Sequence, residues 1–242
     1  VNSYLVEYPL YMLPDGGVEQ KADDWWDAVC KATKWVMKQS NVAPANIAAM
    51  AFCAQMQGSL FIDAEGRALR NPMSYLDQRA TKQIEKHLYK GFIKIDKWNA
   101  LKTIKSLVIT GGLAATPKDP LWKYHWVKDN EPEIFEKAYK WLDVKDYLIF
   151  RCTGKLGMTV DSANVTFIYD TRKNRLGWHK GLCTMFEVDM KHLPPVFQST
   201  DVIGTITKKA ANELGLTPGI PVFGGGGDVP LTLVGSGCTD LY

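Results

Sequence analysis

The segment GIPVFGGGGDVP, residues 219–230, joins a short apolar run to four consecutive glycines and one aspartate. The run 220–223 predicts a buried strand, and the glycines permit a tight turn that a ligand can approach closely. Asp228 is the one ionisable residue at the end of this loop. A carboxylate on a glycine turn after a strand is well placed to accept a proton from a bound substrate. The alternative interpretation is an aspartate that caps a helix.

The composition is that of an ordinary globular protein. The chain has 242 residues and a net charge of +3, with its basic residues spread rather than clustered. This length suffices for one large or two small domains. The charge pattern gives no argument for nucleic-acid binding. Because the sequence shows neither a membrane-length apolar run nor a signal peptide, we predict a cytoplasmic protein that binds neither membranes nor nucleic acid.

The cysteines and histidines are scattered. The five cysteines form no CxxC pair and the four histidines form no HExxH motif, so we expect reduced thiols and no transition metal held by this chain. The two ends are abrupt: an apolar run is under way at residue 1, and no polar tail follows residue 237. We therefore expect the chain to be part of a longer protein.

The first half of the sequence predicts strands around one long helix. We expect a strand at 1–9, a helix at 20–40 capped by Asp23 or Asp24, and strands at 47–54, 59–63 and 69–75, the last two joined by a hairpin turn. Residues 76–89 are expected to be helical. The basic, poorly patterned segment 90–116 is expected to run over the surface.

The second half predicts helices followed by a return to strands. The helices are expected at 120–129, 131–139, 144–152 and 208–214, with a mostly extended stretch at 156–170 and short strands at 203–206 and 220–223. Strands and helices alternate along the chain, so the predicted fold class is α/β.

Two amides flank a methionine within the apolar strand region, in the run Gln55-Met56-Gln57-Gly58. Buried amides need hydrogen-bond partners. Either they bond the backbone of neighbouring loops, or they reach the hydroxyls of a polyol. Asp77 likewise has two interpretations. It either holds a substrate hydroxyl or has a structural role, in which it pairs with Arg79 or caps its helix, and the structural role is favoured.

A series of motifs resembles one protein family, in order and over nearly the whole chain. These are Val18-Glu19-Gln20 with Trp25-Trp26, Gln55-Met56-Gln57-Gly58, Asp77-Gln78-Arg79, the segment 123–132 (KYHWVKDNEP), Lys145-Asp146-Tyr147-Leu148 with Thr153-Gly154, Ala163-Asn164 with Thr166, and Gly225-Gly226-Gly227-Asp228. Together they are similar to the sugar-binding half of the FGGY carbohydrate kinases, and most similar to the xylulokinases among them.

The sequence also departs from that pattern. Gln57 replaces a histidine that usually contacts the sugar, and Tyr75 stands where a tryptophan is usual. Met158-Thr159 replaces an expected Thr-Asp, and Lys118 takes a position where a small or aromatic residue is preferred. All but the last lie near where the family binds sugar, so they bear on the identity of the sugar more than on the fold.

The resemblance implies a fold and an activity. The fold would be an actin-like, ribonuclease H-like ATPase domain with a mixed sheet flanked by helices, and residues 1–242 would be the N-terminal sugar-binding domain. The first hairpin of the family, with its DxGT motif, and the second, ATP-binding domain would lie outside this chain. The activity would be phosphorylation of a sugar hydroxyl with ATP and Mg²⁺, most of the ATP contacts and all metal ligands being supplied from outside this chain.

The resemblance also assigns residues and partners. Asp228 would be the general base, and Gln55, Met56, Gln57 and Asp228 would contact the sugar, with Asp77, Arg79 and Gly227 just behind them. The substrate would be D-xylulose or a related ketopentose or polyol, and the protein a homodimer. This chain alone is expected to be inactive. A sugar-binding or regulatory module without catalysis is the rival interpretation, against which Asp228 argues.

Overall fold

The computed structural model describes residues 2–238. Val1, the first residue of the strand predicted at 1–9, and residues 239–242 lie outside the described residues. The α-helices are α1 (Ala22–Ser40), α2 (Thr81–Ile84), α3 (Ala100–Thr110), α4 (Pro120–Asn130), α5 (Pro132–Lys137), α6 (Val144–Thr153), α7 (Val160–Asn164), α8 (Lys180–Met185), α9 (Lys208–Leu214) and α10 (Asp228–Gly235). Short 3₁₀ turns cover Pro44–Asn46 and Met190–His192, and a π-helical turn, Glu85–Tyr89, continues α2.

The strands are short and pair two at a time. They are β1 (Tyr11–Met12), β2 (Val18–Glu19), β3 (Cys53–Ala54), β4 (Leu60–Ile62), β5 (Lys94–Ile95), β6 (Trp98–Asn99), β7 (Lys140–Leu142), β8 (Met158–Thr159), β9 (Tyr169–Asp170), β10 (Gly177–Trp178), β11 (Val196–Phe197), β12 (Val202–Thr205), β13 (Pro221–Phe223) and β14 (Gly226–Gly227). The pairs β3–β14 and β8–β11 are parallel, whereas β1–β2, β4–β7, β5–β6, β9–β10 and β12–β13 are antiparallel.

One pairing brings together segments far apart in the sequence. Met50 forms a parallel bridge with Val222, and β3 then pairs in parallel with β14. The backbone that leads to Gln55 therefore runs beside the glycine loop. This pairing positions the candidate site.

Two hydrophobic clusters form most of the core. The first joins α1, α6 and α9 around β13, and its members include Trp25, Leu148 and Val222. The second surrounds α4, where Trp122 is fully buried among residues of α2, α8 and β7. The aromatic-rich helix predicted at 120–129 thus lies in the protein interior, where its aromatic side chains pack.

Several predicted elements are confirmed. α6 and α9 start and end within one residue of the predicted bounds, and each ends at a glycine in the left-handed region, Gly154 at φ 68° and Gly215 at φ 73°. Glycine takes this conformation without the steric penalty of a Cβ atom. The strand at 59–63 is confirmed as β4, while the predicted strand at 69–75 is reduced to isolated bridges of Met73 with Glu19 and Ser59.

The N-terminal predictions need correction. No strand forms within residues 2–10; instead Tyr4 stacks on Trp35 of α1, with ring centroids 4.5 Å apart. α1 begins at Ala22, and Lys21 occupies the cap position without a side-chain hydrogen bond. Asp23 and Asp24 lie in the first turn of α1 rather than at its cap, where their charges still complement the helix dipole.

The segment predicted to run over the surface contains α3. Besides Ile109, which joins the core, this helix buries small and polar residues such as Ala100 and Thr103, and it exposes Ile104 and Val108. Two further predicted elements differ in extent. The helix expected at 76–89 begins only at Thr81, and the extended stretch 156–170 is interrupted by α7.

Candidate active site

The glycine loop is shaped by direct backbone contact with the neighbouring strand segment. Gly225 has φ 63°, and a Cβ atom there would lie 2.2 Å from the carbonyl oxygen of Phe52. A Cβ atom on Gly227 would lie 2.3 Å from Sδ of Met56. Only glycine fits these two positions without movement of the neighbours. The loop therefore packs closely against the residues that lead into the Gln55–Gly58 run.

Asp228 is placed by this loop at the start of α10. It is exposed, and its Oδ1 accepts a hydrogen bond from the Val229 N–H at 2.9 Å. The cap position is held by Gly227, in extended conformation. Asp228 is thus the first residue of α10 and not its cap, so the capping interpretation is not supported. Asp228 also faces an open cleft.

The cleft has a volume of about 640 Å³. Its walls come from residues 55–58, from Tyr75, from α7 and the residue after it, and from the start of α10. Residues 55–58 are called the sugar loop below, because their motif resembles the sugar-contacting run of the FGGY kinases. The lining residues are Met56, Gln57, Tyr75, Asp161, Asn164, Val165, Asp228, Val229 and Pro230. Ligand pockets of small molecules have volumes of about 300–1,000 Å³. The cleft combines apolar side chains with amides and two carboxylates, a set that suits a small polyhydroxylated ligand.

The structure brings some of the expected site residues together and separates others. Met56, Gln57 and Asp228 line the cleft, and Gly227 lies beneath Met56. Gln55 does not line it. Its Nε2 donates to Oε1 of Gln20 at 2.5 Å, so this amide is occupied in the wall behind the cleft.

Asp77 and Arg79 form a buried structural pair. The Asp77 carboxylate is fully buried and accepts hydrogen bonds from the Val18 N–H and from the Arg79 guanidinium. Arg79 also bonds Glu19 at 2.6 Å and lies over the Trp126 ring. Asp77 therefore joins β2 to the loop before α2, as its structural interpretation proposes.

The sugar loop is held in shape by charged groups from beneath. Gln57 has φ 64°, an uncommon value for a residue with a side chain. Its N–H and that of Gly58 donate to the carboxylate of Asp143 at 3.1 and 2.9 Å. The Gln57 Nε2 donates to Oδ1 of Asp119 at 3.3 Å, and its carbonyl accepts from Nζ of Lys123 at 2.8 Å.

Burial shifts the pKa values of these supporting groups. Burial, reinforced by the nearby Asp146 carboxylate, raises the pKa of Asp143 to about 7. Burial lowers the pKa of Lys123 to about 8, although the carboxylates of Asp77 and Asp143 oppose the change. Both groups are therefore poised to titrate near neutral pH, directly under the residues that line the cleft.

Asp161 is a cleft residue that the sequence analysis did not select. Its Oδ2 accepts a hydrogen bond from the Gly227 N–H at 2.6 Å, and its Oδ1 accepts from the Thr159 hydroxyl. Nζ of Lys145 lies 3.7 Å from Oδ1 of Asp161. The available signal was the replacement of an expected aspartate by Thr159, with a carboxylate two residues further along.

The comparison with family models assigns the chain. The model described as "FGGY family of carbohydrate kinases, N-terminal domain" matches residues 1–235. The chain belongs to the FGGY family of carbohydrate kinases. The resemblance of its motifs to this family is thereby confirmed, and the family is one of phosphotransferases.

The relatives of this FGGY chain include kinases named for different substrates. Xylulose kinase of Bacillus subtilis is 29% identical over 231 residues, which cover 95% of this chain and 43% of the relative. Glycerol kinase of Thermococcus gammatolerans is 30% identical over 233 residues, which cover 95% of this chain and 43% of the relative. The chain thus spans less than half the length of these curated relatives.

Solved structures agree with the fold expectation. Ligand-bound xylulose kinase from Lactobacillus acidophilus matches with a TM-score of 0.82 and 25% identity, covering 96% of this chain and 44% of that chain. Gluconate kinase from the same organism matches with a TM-score of 0.80 and 26% identity, covering 94% of this chain and 43% of that chain. The FGGY chain therefore has the actin-like, ribonuclease H-like fold, with mixed strand pairing and surrounding helices.

Proposed function

We propose that this chain is the sugar-binding part of an ATP-dependent carbohydrate kinase in which Asp228 is the general base. The observation that carries the proposal is the shared cleft of Asp228, Met56 and Gln57 at the end of β13. Membership of the FGGY family supports the reaction class.

The cleft residues divide the work by their chemistry. Phosphoryl transfer needs a positioned hydroxyl, neutralised phosphate charge and an acceptor for the hydroxyl proton. The Asp228 carboxylate accepts that proton. The Gln57 amide hydrogen-bonds sugar hydroxyls, while the Met56 side chain packs on the carbon face of the sugar. An ordinary carboxylate suffices as the base, because the proton leaves late in a loose transition state.

ATP and Mg²⁺ belong to this proposal as co-substrate and metal. Mg²⁺ is generally bound through substrate phosphates with one or two carboxylates. The carboxylates that hold the metal are expected from outside this chain, because Asp228 is the proposed base and both oxygens of Asp161 already accept hydrogen bonds, from the Gly227 N–H and the Thr159 hydroxyl. When bound, the metal would neutralise charge on the transferred phosphoryl group, and most nucleotide contacts would come from a second domain.

The proposed acceptor is D-xylulose or a related ketopentose or polyol. Similarity to enzymes named xylulose kinase supports this choice, whereas relatives named for glycerol and gluconate define the competitors. A screen of the full-length protein against pentuloses, hexuloses, pentitols, gluconate and glycerol tests it. Preference for glycerol or gluconate would contradict the ketopentose assignment.

Substitution of the proposed base tests catalysis. In the full-length protein, Asp228→Asn is expected to lower kcat by about 10²–10⁴-fold, the usual contribution of a general base, with little change in KM for the sugar. Gly227 holds the cap position of α10, so the substitution is not expected to disturb the start of that helix. Near-normal turnover would therefore contradict the role of Asp228 as the base. Absence of sugar-dependent turnover in the unsubstituted full-length protein would instead favour the rival, a sugar-binding module without catalysis. The proposal also includes four further points: residues 1–242 form one domain, this chain alone is inactive, the protein is a homodimer, and it is cytoplasmic.

A further inference from the structure

The glycine loop is tied to a buried ionic network through one side chain. The Gly227 N–H, which immediately precedes Asp228, donates to Oδ2 of Asp161 at 2.6 Å. Gly227 also begins the transition into α10. A change in this bond therefore acts on the residue that sets the backbone direction of Asp228.

The network behind Asp161 is buried and contains a cation, Lys145. The side chain of Lys145 is only 2% exposed. Its Nζ donates hydrogen bonds to Oδ1 of Asp146 at 3.0 Å and to the Thr159 hydroxyl. Thr159 donates onward to Oδ1 of Asp161. Burial acts to lower the pKa of Lys145, but the carboxylates of Asp146 and Asp161 outweigh it and raise the pKa. Lys145 stays charged, so Asp161 has a permanent cation behind it.

Thr159 and Asp161 both lie beside the glycine loop, but the carboxylate is carried by residue 161 instead of residue 159. Thr159 stands where the motif resemblance expects an aspartate, and its Cγ2 would lie 2.8 Å from a Cβ atom on Gly224. Position 159 therefore faces the same glycine loop from the side of Gly224, while Asp161 faces it from the side of Gly227. The carboxylate that meets the loop in this chain comes from two residues further along.

We propose that Asp161 is a positioning residue, which holds Gly227 through a charge-assisted hydrogen bond and thereby orients the Asp228 carboxylate in the cleft. The inference rests on the proposed function of Asp228. Charge-assisted bonds to backbone N–H groups are stronger than neutral ones, and small displacements of a reacting group have large kinetic effects. Asp161 acts on the reaction through the loop and not by contact with the transferred proton.

The test compares three variants of the full-length protein. Asp161→Thr removes the carboxylate, Asp161→Asn keeps an acceptor without the charge, and the exchange Thr159→Asp with Asp161→Thr returns a carboxylate to the loop from position 159. We expect kcat to fall roughly 10–100-fold in Asp161→Thr, to fall less in Asp161→Asn, and to recover most of the loss in the exchange variant. Sugar affinity, measured by calorimetry, is expected to change by less than about threefold, because the Met56 and Gln57 contacts remain.

The possible results separate this inference from the function on which it rests. Full activity in Asp228→Asn would overturn the proposed function itself. An inactive Asp228→Asn together with a fully active Asp161→Thr would overturn only the role of Asp161. A kcat loss in Asp161→Thr that is matched by equal losses in sugar affinity and thermal stability, and that the exchange does not restore, would show a merely structural residue and also overturn it.

Discussion

Lys123 is a cation placed under the sugar loop rather than in the cleft. It is fully buried, and its Nζ donates to the carbonyl oxygens of Gln57 and Ser74 at 2.8 and 2.7 Å. Its pKa of about 8 keeps it mostly protonated at pH 7. Lys123 thereby joins the sugar loop to the chain before α2 and compensates the charge of the surrounding aspartates.

Removal of that cation is expected to destabilise the protein. Lys123→Met keeps the length of the side chain but leaves the buried carbonyl oxygens of Gln57 and Ser74 without their donor. Each buried polar group left without a hydrogen-bond partner costs about 1–3 kcal/mol. Urea unfolding at pH 7 measures this loss, with the exposed Lys82→Met as the control. A loss no larger than that of the control would contradict the role of Lys123.

The buried His125 makes the free energy of unfolding depend on pH. His125 is fully buried, its Nε2 donates to the carbonyl of Phe186 at 2.6 Å, and burial lowers its pKa to about 3. The unfolded chain takes up this proton below about pH 6.5, while the native state does not until about pH 3. The contribution of His125 to stability is therefore complete above pH 6.5 and is lost as the pH falls toward 3.

The matching prediction concerns the slope of stability against pH. Each proton bound only by the unfolded state lowers the free energy of unfolding by about 1.4 kcal/mol per pH unit. His125→Gln retains an N–H donor without the titration, so its stability is expected to fall less steeply between pH 6 and 4.5 as measured by urea unfolding. Asp143, whose pKa is raised, opposes the slope equally in both proteins. Parallel curves for the two proteins would contradict the prediction.

At the scale of single residues, part of the candidate site could be predicted from the sequence. The rest depends on contacts between residues that are far apart in the chain. Asp228, Met56 and Gln57 carry local signals, a glycine turn and an amide in an apolar context. The contribution of Asp161 comes from a bond to Gly227, 66 residues further along the chain. The amide of Gln55 is consumed by Gln20, 35 residues away. Neither partner can be inferred from local sequence patterns.

At the scale of elements, helices with capping signals were predictable and α3 was not. α6 and α9 combine an apolar pattern with a terminal glycine. α3 lies in a segment whose overall pattern is poor. Most of its large apolar residues face away from the protein, and apart from Ile109 its buried side is small and polar. Periodicity gives the pattern of an amphipathic helix but not the direction in which tertiary contacts turn it. The observed strands are shorter than the predicted ones or lie at other residues for a similar reason, because their pairing partners are remote in the sequence.

The pairing of β3 with β14 depends on the conformation of the glycine loop. Gly225→Ala is expected to cost about 1–2 kcal/mol for the left-handed conformation and about 1–3 kcal/mol more for displacement of Phe52. Gly154 is also left-handed but has no neighbour within 4 Å of an added Cβ atom, so Gly154→Ala is the matched control. Thermal unfolding and sugar calorimetry should show the larger loss, and the loss of sugar binding, in Gly225→Ala alone. Equal effects would show that the contact with Phe52 is unimportant.

At the scale of the whole molecule, one surface is unusually apolar. The residues of α3 and of the preceding hairpin that are about half exposed or more are Phe92, Ile93, Ile95, Leu101, Ile104, Leu107 and Val108. A standard protein interface takes roughly 800 Å² from each partner, and side chains of this number and size expose an area of that order. Leu101, Ile104 and Val108 have the i, i+3, i+7 spacing of a helix-pairing seam. This surface is the structural basis that we propose for a homodimer.

The dimer proposal predicts association that depends on α3. Sedimentation velocity of the full-length protein is expected to show a dimer, which Ile104→Glu dissociates and Val42→Glu, on an exposed loop elsewhere, leaves intact. Lys90, Lys94, Lys97 and Lys105 are exposed in the same segment of the chain, so added salt should strengthen the dimer by screening their repulsion. A monomer at all concentrations, or a dimer that survives Ile104→Glu, would contradict this assembly.

Among residues 2–238, no helix combines the length and apolar character that a membrane span requires.

The parallel pairing of Cys53–Ala54 with Gly226–Gly227 has a consequence for how the protein is made. Chains fold from the N-terminus as they leave the ribosome, and contacts between distant residues form late. The sugar loop emerges early, but the wall that completes its cleft follows only after most of the described chain has been synthesised. A nascent chain that stops short of Gly227 therefore contains residues 55–58 but lacks the segment that completes the cleft. A ligand of this cleft can stabilise the protein only after translation has passed the glycine loop.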